Sequence, residues 1–312
     1  MTGMIWAWVG FNALIIGLLA LDLGVFHRKS HAVSVKEGAL WSCVWITLAL
    51  LFNLGLYLVS GPEPALQFLT GYLIEKSLSV DNIFLFVLIF TYFNVPAIYQ
   101  HRILFWGILG ALVMRGLLIL MGAALLSAFH WVFYIFGGFL VLTGIRMAFH
   151  RVEKLEPDKN PIVRLVRRLV PVTAEYEGSH FMVRRAGRLM VTPLLLTLII
   201  VETTDLVFAL DSIPAIFAIT QNTFIVYTSN AFAILGLRAL YFVFAGVMSK
   251  FYYLKIGLAV ILVGVGVKML IADWIHIPVW ASLAFIAGVL ALSIIASLFR
   301  ERRLKARNEL AG

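Results

Sequence analysis

Cysteine is almost missing from this chain of 312 residues: Cys43 is the only one. A single sulfur excludes an intramolecular disulfide, a paired-thiol redox motif and a Cys-rich metal site, and Cys43 reads as a small core residue. Charge is scarce as well. Asp, Glu, Lys and Arg together make up 13% of the residues, about half the share usual in a soluble protein. Such a chain has little with which to cover a surface facing water. What it has instead is apolar: 62% of the residues are hydrophobic, and the mean hydropathy is +0.98. Apolar runs recur along the whole length, far more often than one soluble core requires. The solvent around most of the chain is therefore lipid.

The formal net charge of +9 invites a nucleic-acid reading, but placement argues against it. Lys and Arg cluster in short stretches between apolar segments, at Arg28 and Lys29, from Arg164 to Arg168 and from Arg300 to Arg307. That is the distribution of a membrane protein with its positive loops inside. No cleavable leader is expected, because the first apolar segment starts at Met4 with no basic residue before it.

The expected fold is an all-α polytopic membrane protein with about nine transmembrane helices. They are placed at 4–26, 39–58, 66–92, 101–121, 125–149, 191–218, 226–248, 253–273 and 277–299. About 20 residues at ~1.5 Å each cross a hydrocarbon core of ~30 Å. With the N-terminus outside and the C-terminus cytoplasmic, the inner loops hold nearly all the loop Lys and Arg. The outer loops 59–65, 122–124, 219–225 and 274–276 hold none. Residues 150–190 form the one long polar stretch, expected to be a basic cytoplasmic linker. Contact with anionic lipid and a regulatory role are its alternatives.

Two segments repeat. Glu75-Lys-Ser-Leu-Ser-Val-Asp81-Asn82-Ile83 matches Asp205-Leu-Val-Phe-Ala-Leu-Asp211-Ser212-Ile213: an acid, five residues, Asp, a small polar residue, Ile. Arg115 then corresponds to Arg238, and Gly144-Ile-Arg146-Met147 to Gly266-Val-Lys268-Met269. Each copy spans three predicted helices, so the second enters the membrane from the opposite side. The pair reads as two inverted three-helix repeats. The chain divides into a two-helix segment (1–65), the first repeat (66–149), the basic loop (150–190), the second repeat (191–273), and a last helix with a basic tail (274–312).

Glu75, Asp81, Glu202, Asp205 and Asp211 all fall inside predicted spans. Each costs roughly 2.5–3.5 kcal/mol at a helix centre. They must face one another, buried cations or a wet cavity. Arg115, Arg238 and Lys268 are the charge-balancing cations, and three positives against five negatives leave a formal −2 that a divalent ion would neutralise. Ion pairing that ties helices together, and protonation of the acids, are the alternatives. At about 100° per residue, Glu75, Ser79 and Asn82 share one stripe, and Asp205 and Ser212 a matching one. Asp81 and Asp211 lie about 120° away, so the cavity is wide or the helices break there. Pro214, directly after the second motif, favours a break. Carboxylate, amide and hydroxyl oxygens suit Mg²⁺, Ca²⁺ or Mn²⁺ over Zn²⁺ or Cu⁺.

The stretches Gly71 to Asn82, Val201 to Pro214 and Asn230 to Leu240 resemble the TerC family, most closely its Alx-like branch. The resemblance covers essentially the whole chain. It implies a multi-pass protein of the bacterial inner membrane, in a family linked to tellurium resistance and to manganese export. Its Alx branch carries a redox-modulator label, for which the sequence offers no cysteine pair, haem motif or nucleotide fingerprint. The metal-handling positions implied are Glu75, Asp81, Asn82, Glu202, Asp205, Asp211 and Ser212. The function expected is efflux of a divalent cation, Mn²⁺ foremost, with no prosthetic group and no enzymatic activity. Its partners are the bilayer and the metal, not nucleic acid, and homo-oligomerisation is left open. The alternative is a membrane-protein assembly or stress-response regulatory factor.

Overall fold

Backbone surrounded by lipid has to satisfy its own hydrogen bonds, and helices do so within one segment. The computed structural model describes residues 2–21, 34–149, 161–173, 175–185, 188–245 and 252–309. Among them are eleven α-helices: α1 (Thr2–Leu21), α2 (Val35–Ser60), α3 (Pro62–Tyr92), α4 (Ala97–Ala128), α5 (Trp131–Phe149), α6 (Pro161–Leu169), α7 (Pro193–Phe217), α8 (Thr223–Leu235), α9 (Leu237–Phe244), α10 (Leu254–Leu270) and α11 (Val279–Glu309). One antiparallel hairpin, β1 (Met182–Arg185) with β2 (Arg188–Val191), pairs Met182 with Val191 and Arg185 with Arg188.

Local chemistry sets the boundaries. Ser34 caps α2 by accepting the Glu37 amide at 3.2 Å, and Asn222 caps α8 by accepting the amides of Phe224 and Ile225. Gly61 closes α2 at φ +92°, where a side chain would be strained, and Pro62 opens α3 at once.

Among the described residues helix is found in every predicted span. Among the described residues, α2, α4, α5, α7 and α11 are long and apolar enough to cross. A sixth span exists if α8 and α9, bent by 41° at Gly236, are taken together. α3 carries Glu75, Lys76 and Asp81 close together, α10 has 17 residues, and the described apolar stretch of α1 is Ile5–Leu21.

The helix break lies elsewhere than expected. α7 runs straight through Pro214, and Ala218 still donates to the Pro214 carbonyl at 3.0 Å. Pro214 cannot donate to the Leu210 carbonyl one turn upstream, but that one missing bond does not end α7. The break falls instead at Gly236. Cys43 also differs from expectation. It is exposed on α2, a helix whose outer face is mostly uncovered, rather than in the core. A thiol behaves as a small apolar group there.

Three apolar clusters hold the bundle. In the first, Phe52 of α2 lies 5.1 Å from Phe232 of α8 and 5.2 Å from Phe68 of α3, centroid to centroid. The second joins α3, α5, α7 and α10, and α5 packs closely on α10. Glycine allows that approach. A Cβ at Gly266 would stand 2.7 Å from the Gly137 carbonyl oxygen, and one at Gly144 2.8 Å from that of Ala259. The two glycines matched in the repeated motif thus pack reciprocally across one interface. The third cluster joins one end of α3 and α4 to the first turns of α7 and to α6.

Candidate metal centre

α3, α4 and α7 converge on one buried ion cluster. Glu75 of α3 is 0% exposed, Arg115 of α4 1% and Asp205 of α7 3%. Arg115 stands between the carboxylates. Its Nε donates to Asp205 Oδ2 at 2.9 Å and its Nη2 to Asp205 Oδ1 at 2.9 Å. Its Nη1 pairs with Glu75 Oε1 and donates to Ser212 Oγ at 3.2 Å. Asn82 closes the group, its Nδ2 donating to Asp205 Oδ1 at 3.3 Å. The stripes read from helical spacing do face each other: Glu75 and Asn82 from α3, Asp205 and Ser212 from α7. Ser79, on the α3 stripe, spends its hydroxyl on the Glu75 carbonyl at 2.7 Å.

Two carboxylates around one guanidinium leave a formal −1 in a buried site. The forked Asp205–Arg115 pair is the strongest geometry such a contact has. Acceptors are left over. Glu75 Oε2 and Asn82 Oδ1 are buried without a hydrogen-bond partner among the described residues, and so is Glu202 Oε2. Each such atom costs roughly 1–3 kcal/mol. A cavity of about 10 Å³ is bounded by Glu75, Asn82, Arg115, Asp211 and Ser212. A second of about 10 Å³ touches Asp205, Arg238 and Gly107. Each has room for about one water molecule. Hard oxygens with spare lone pairs, a net negative charge and almost no space form a cation site whose cation is Arg115.

The other sequence-predicted residues take different places. Asp211, half-buried, lines the first cavity and faces Thr143 of α5. Glu202 packs against α4 at Gly110, where a Cβ would overlap its carboxylate. Arg238 of α9 is buried beside the second cavity. Lys268 stands apart, donating to Ser282 Oγ at 2.9 Å and bordering a cavity of about 490 Å³ shared with Gln67 and His276. Asp81 belongs to α3, but its side chain lies outside the described residues. Among the described residues no three His, Cys, Asp or Glu side chains form a ready metal cage.

One intramembrane cation escaped the sequence reading. Lys76, beside Glu75 but on the other side of α3, donates to the Ala233 carbonyl at 3.1 Å and lies 5.7 Å from the Tyr72 ring centroid. Ala233 sits at the C-terminal end of α8, where helix carbonyls lack intrahelical donors and the dipole favours a cation. Counting Lys76 with Arg115, Arg238 and Lys268 against the five acids changes the formal balance from −2 to −1. The signal was its position one residue after a buried acid, inside an otherwise apolar span.

The model of the integral membrane protein TerC family matches residues 60–305. The chain is 55% identical over 295 residues to an uncharacterized membrane protein, STKORF319, of Myxococcus xanthus, covering 95% of this chain and 92% of that one. It is 49% identical over 298 residues to the "Putative membrane-bound redox modulator Alx" of Escherichia coli strain K12, covering 92% of each. An uncharacterized membrane protein of Rickettsia felis is 42% identical over 298 residues, covering 96% of this chain and 99% of that one. No solved structure gives a significant match.

Proposed function

We propose, on the premise that this chain belongs to the integral membrane protein TerC family, that it is a secondary transporter of a divalent metal cation. The cargo we assign is Mn²⁺, moved outward across the inner membrane. The observation that carries this reading is the Glu75–Arg115–Asp205 bridge with its unpartnered oxygens. An ion pair kept only for stability gains nothing from leaving Glu75 Oε2 and Asn82 Oδ1 without a protein partner among the described residues. A site that hands its carboxylates from a guanidinium to a metal ion needs such atoms. Arg115 then holds the site while cargo is absent, and Asp211, Ser212 and Glu202 of α7, with Asp81 of α3, complete the oxygen set. The donors are carboxylate, amide and hydroxyl, which fits Mn²⁺ and other hard divalent ions.

Alternating access comes from the repeat. Nine crossings, with the N-terminus outside, make the two three-helix units inverted copies that rock about the site. The reciprocal fit of Gly144 and Gly266 across α5 and α10 supports that symmetry. This reading assigns the chain no enzymatic step. A redox-modulating role of the kind named for the Alx relatives would come to it through control of a redox-active metal, since Cys43 is its one sulfhydryl.

Reconstitution tests the proposal. Mn²⁺ flux into proteoliposomes should fall to background with Asp81→Asn and with Asp211→Asn, while both variants keep wild-type thermal unfolding. Undiminished flux in both would remove the site.

A further inference from the structure

The loop between α5 and α7 contains an element that the transport reading does not use. α6 is short, and its nine residues carry three arginines. At about 100° per residue its side chains fall on three faces. Val163 and Val166, with Val170 just beyond, point one way. Val163 is 0% exposed and sits in the same cluster as Val191 and Leu194. Leu165 and Leu169 point roughly a quarter-turn away, and they are 54% and 72% exposed. Arg164, Arg167 and Arg168 occupy the remaining arc, all exposed. A helix in water has one reason to be apolar, the protein beneath it. α6 has a second apolar stripe that the protein does not cover.

Position says what covers it. Leu194 belongs to the first turn of α7, which is long and apolar enough to span a membrane. A helix packed on that turn lies at the level where a span leaves the hydrocarbon. The other end of the loop is continuous with the lipid-facing belt: Phe149, the last residue of α5, is 83% exposed, and Leu142 of the same helix is 69%. Charge matches as well. Residues 161–190 contain six arginines and two glutamates, and one of those glutamates, Glu177, is paired with Arg185.

We infer that α6 is a membrane-surface helix, with Leu165 and Leu169 inserted among the acyl chains and Arg164, Arg167 and Arg168 set against the headgroups of anionic phospholipid. The apolar side chains give depth, and the arginines give preference for anionic lipid. Long Arg stems let the guanidinium rise to the phosphates while the helix axis lies lower. The loop then behaves as an interfacial anchor holding the first turn of α7 at a fixed depth, not as a linker in the cytoplasm. This inference does not depend on what the protein transports.

An environment-sensitive fluorophore tests it. The full chain carrying Cys43→Ser and Leu165→Cys is labelled at the new thiol and placed in nanodiscs of phosphatidylcholine, with and without phosphatidylglycerol. The same label at Leu142→Cys reports a lipid-facing site. Lipids spin-labelled near the headgroup should quench the Leu165→Cys label to an extent approaching that at Leu142→Cys, and more strongly when phosphatidylglycerol is present. The triple change Arg164→Gln, Arg167→Gln and Arg168→Gln should abolish the phosphatidylglycerol-dependent part, as should high salt. Water-like emission without quenching in both membranes would overturn the insertion. Quenching indifferent to phosphatidylglycerol and to the arginines would overturn the assignment to anionic headgroups.

Discussion

Asp205 holds the guanidinium of Arg115 in a fork, Nε to Oδ2 and Nη2 to Oδ1, each at 2.9 Å. The same arginine reaches Glu75 and Ser212 with its remaining nitrogen. α3, α4 and α7 therefore meet through one side chain, and any ion that takes these carboxylates has to displace it. Substitutions in this cluster, and in the packing around it, have distinct expected outcomes.

Charge compensation is the first. Arg115→Met alone leaves two buried carboxylates without a counter-charge, and breaking such a pair costs ~3–5 kcal/mol. Removing all three charges together, with Glu75→Gln and Asp205→Asn added, should recover most of that loss. Thermal unfolding in detergent compares the two, and a single variant as stable as the triple one would contradict the pairing.

Gly110 makes room for Glu202. With Gly110→Ala a Cβ would meet the Glu202 carboxylate, so the side chain must turn away. If Glu202 completes the oxygen set, Mn²⁺ affinity should fall ~10-fold, the effect typical of disturbing a ligand's surroundings. Isothermal titration on the purified protein measures it, with Glu202→Gln expected to fall at least as far.

The contact between α5 and α10 has little tolerance. Gly266→Ala would press a methyl group onto the Gly137 carbonyl oxygen and the Val141 nitrogen. That overpacking should destabilise the protein by ~1–3 kcal/mol. Gly138→Ala, with nothing within 4 Å of its Cβ, should be neutral or slightly stabilising, because alanine favours helix by ~1 kcal/mol over glycine. Unfolding midpoints separate the two outcomes.

A pH dependence belongs to the connection after α10. The Asp273 carboxyl is held below its usual range, chiefly because the Tyr134 hydroxyl donates to it and secondarily through His130. A depressed acid contributes above its unfolded value, and the contribution is lost as the pH falls through its folded value. Hydrogen exchange across 271–276, corrected for intrinsic rates, should thus be level from neutral pH down to about pH 4 and rise below it. Tyr134→Phe should shift that rise to higher pH.

Much of the fold and the site was legible in the sequence because lipid makes polar residues conspicuous. Glu75, Asn82, Asp205 and Ser212 stood out as rare polar side chains, and helical spacing placed them on stripes that do face each other. Arg115 was identifiable as a counter-charge, but nothing in the spacing said that one arginine would take both acids. Lys76 directly follows a buried acid, and spacing alone does not set it among the charge-balancing cations. Its partner is the Ala233 carbonyl of α8, a contact between helices that spacing along α3 does not reveal. Pro214 does not break its helix because the one bond it withholds, to the Leu210 carbonyl, is a small part of a ladder running from Pro193 to Phe217. Cys43 misled because exposure on a membrane helix means lipid, where small apolar groups sit as readily as in a core.

Anomalous X-ray scattering from crystals soaked in Mn²⁺ shows whether the metal takes the place of Arg115. A manganese peak is expected between Glu75 and Asp205, bounded by Asn82 and Ser212, with the Arg115 guanidinium swung out of its fork. Manganese bound elsewhere, with Arg115 still seated on both carboxylates, would contradict that displacement.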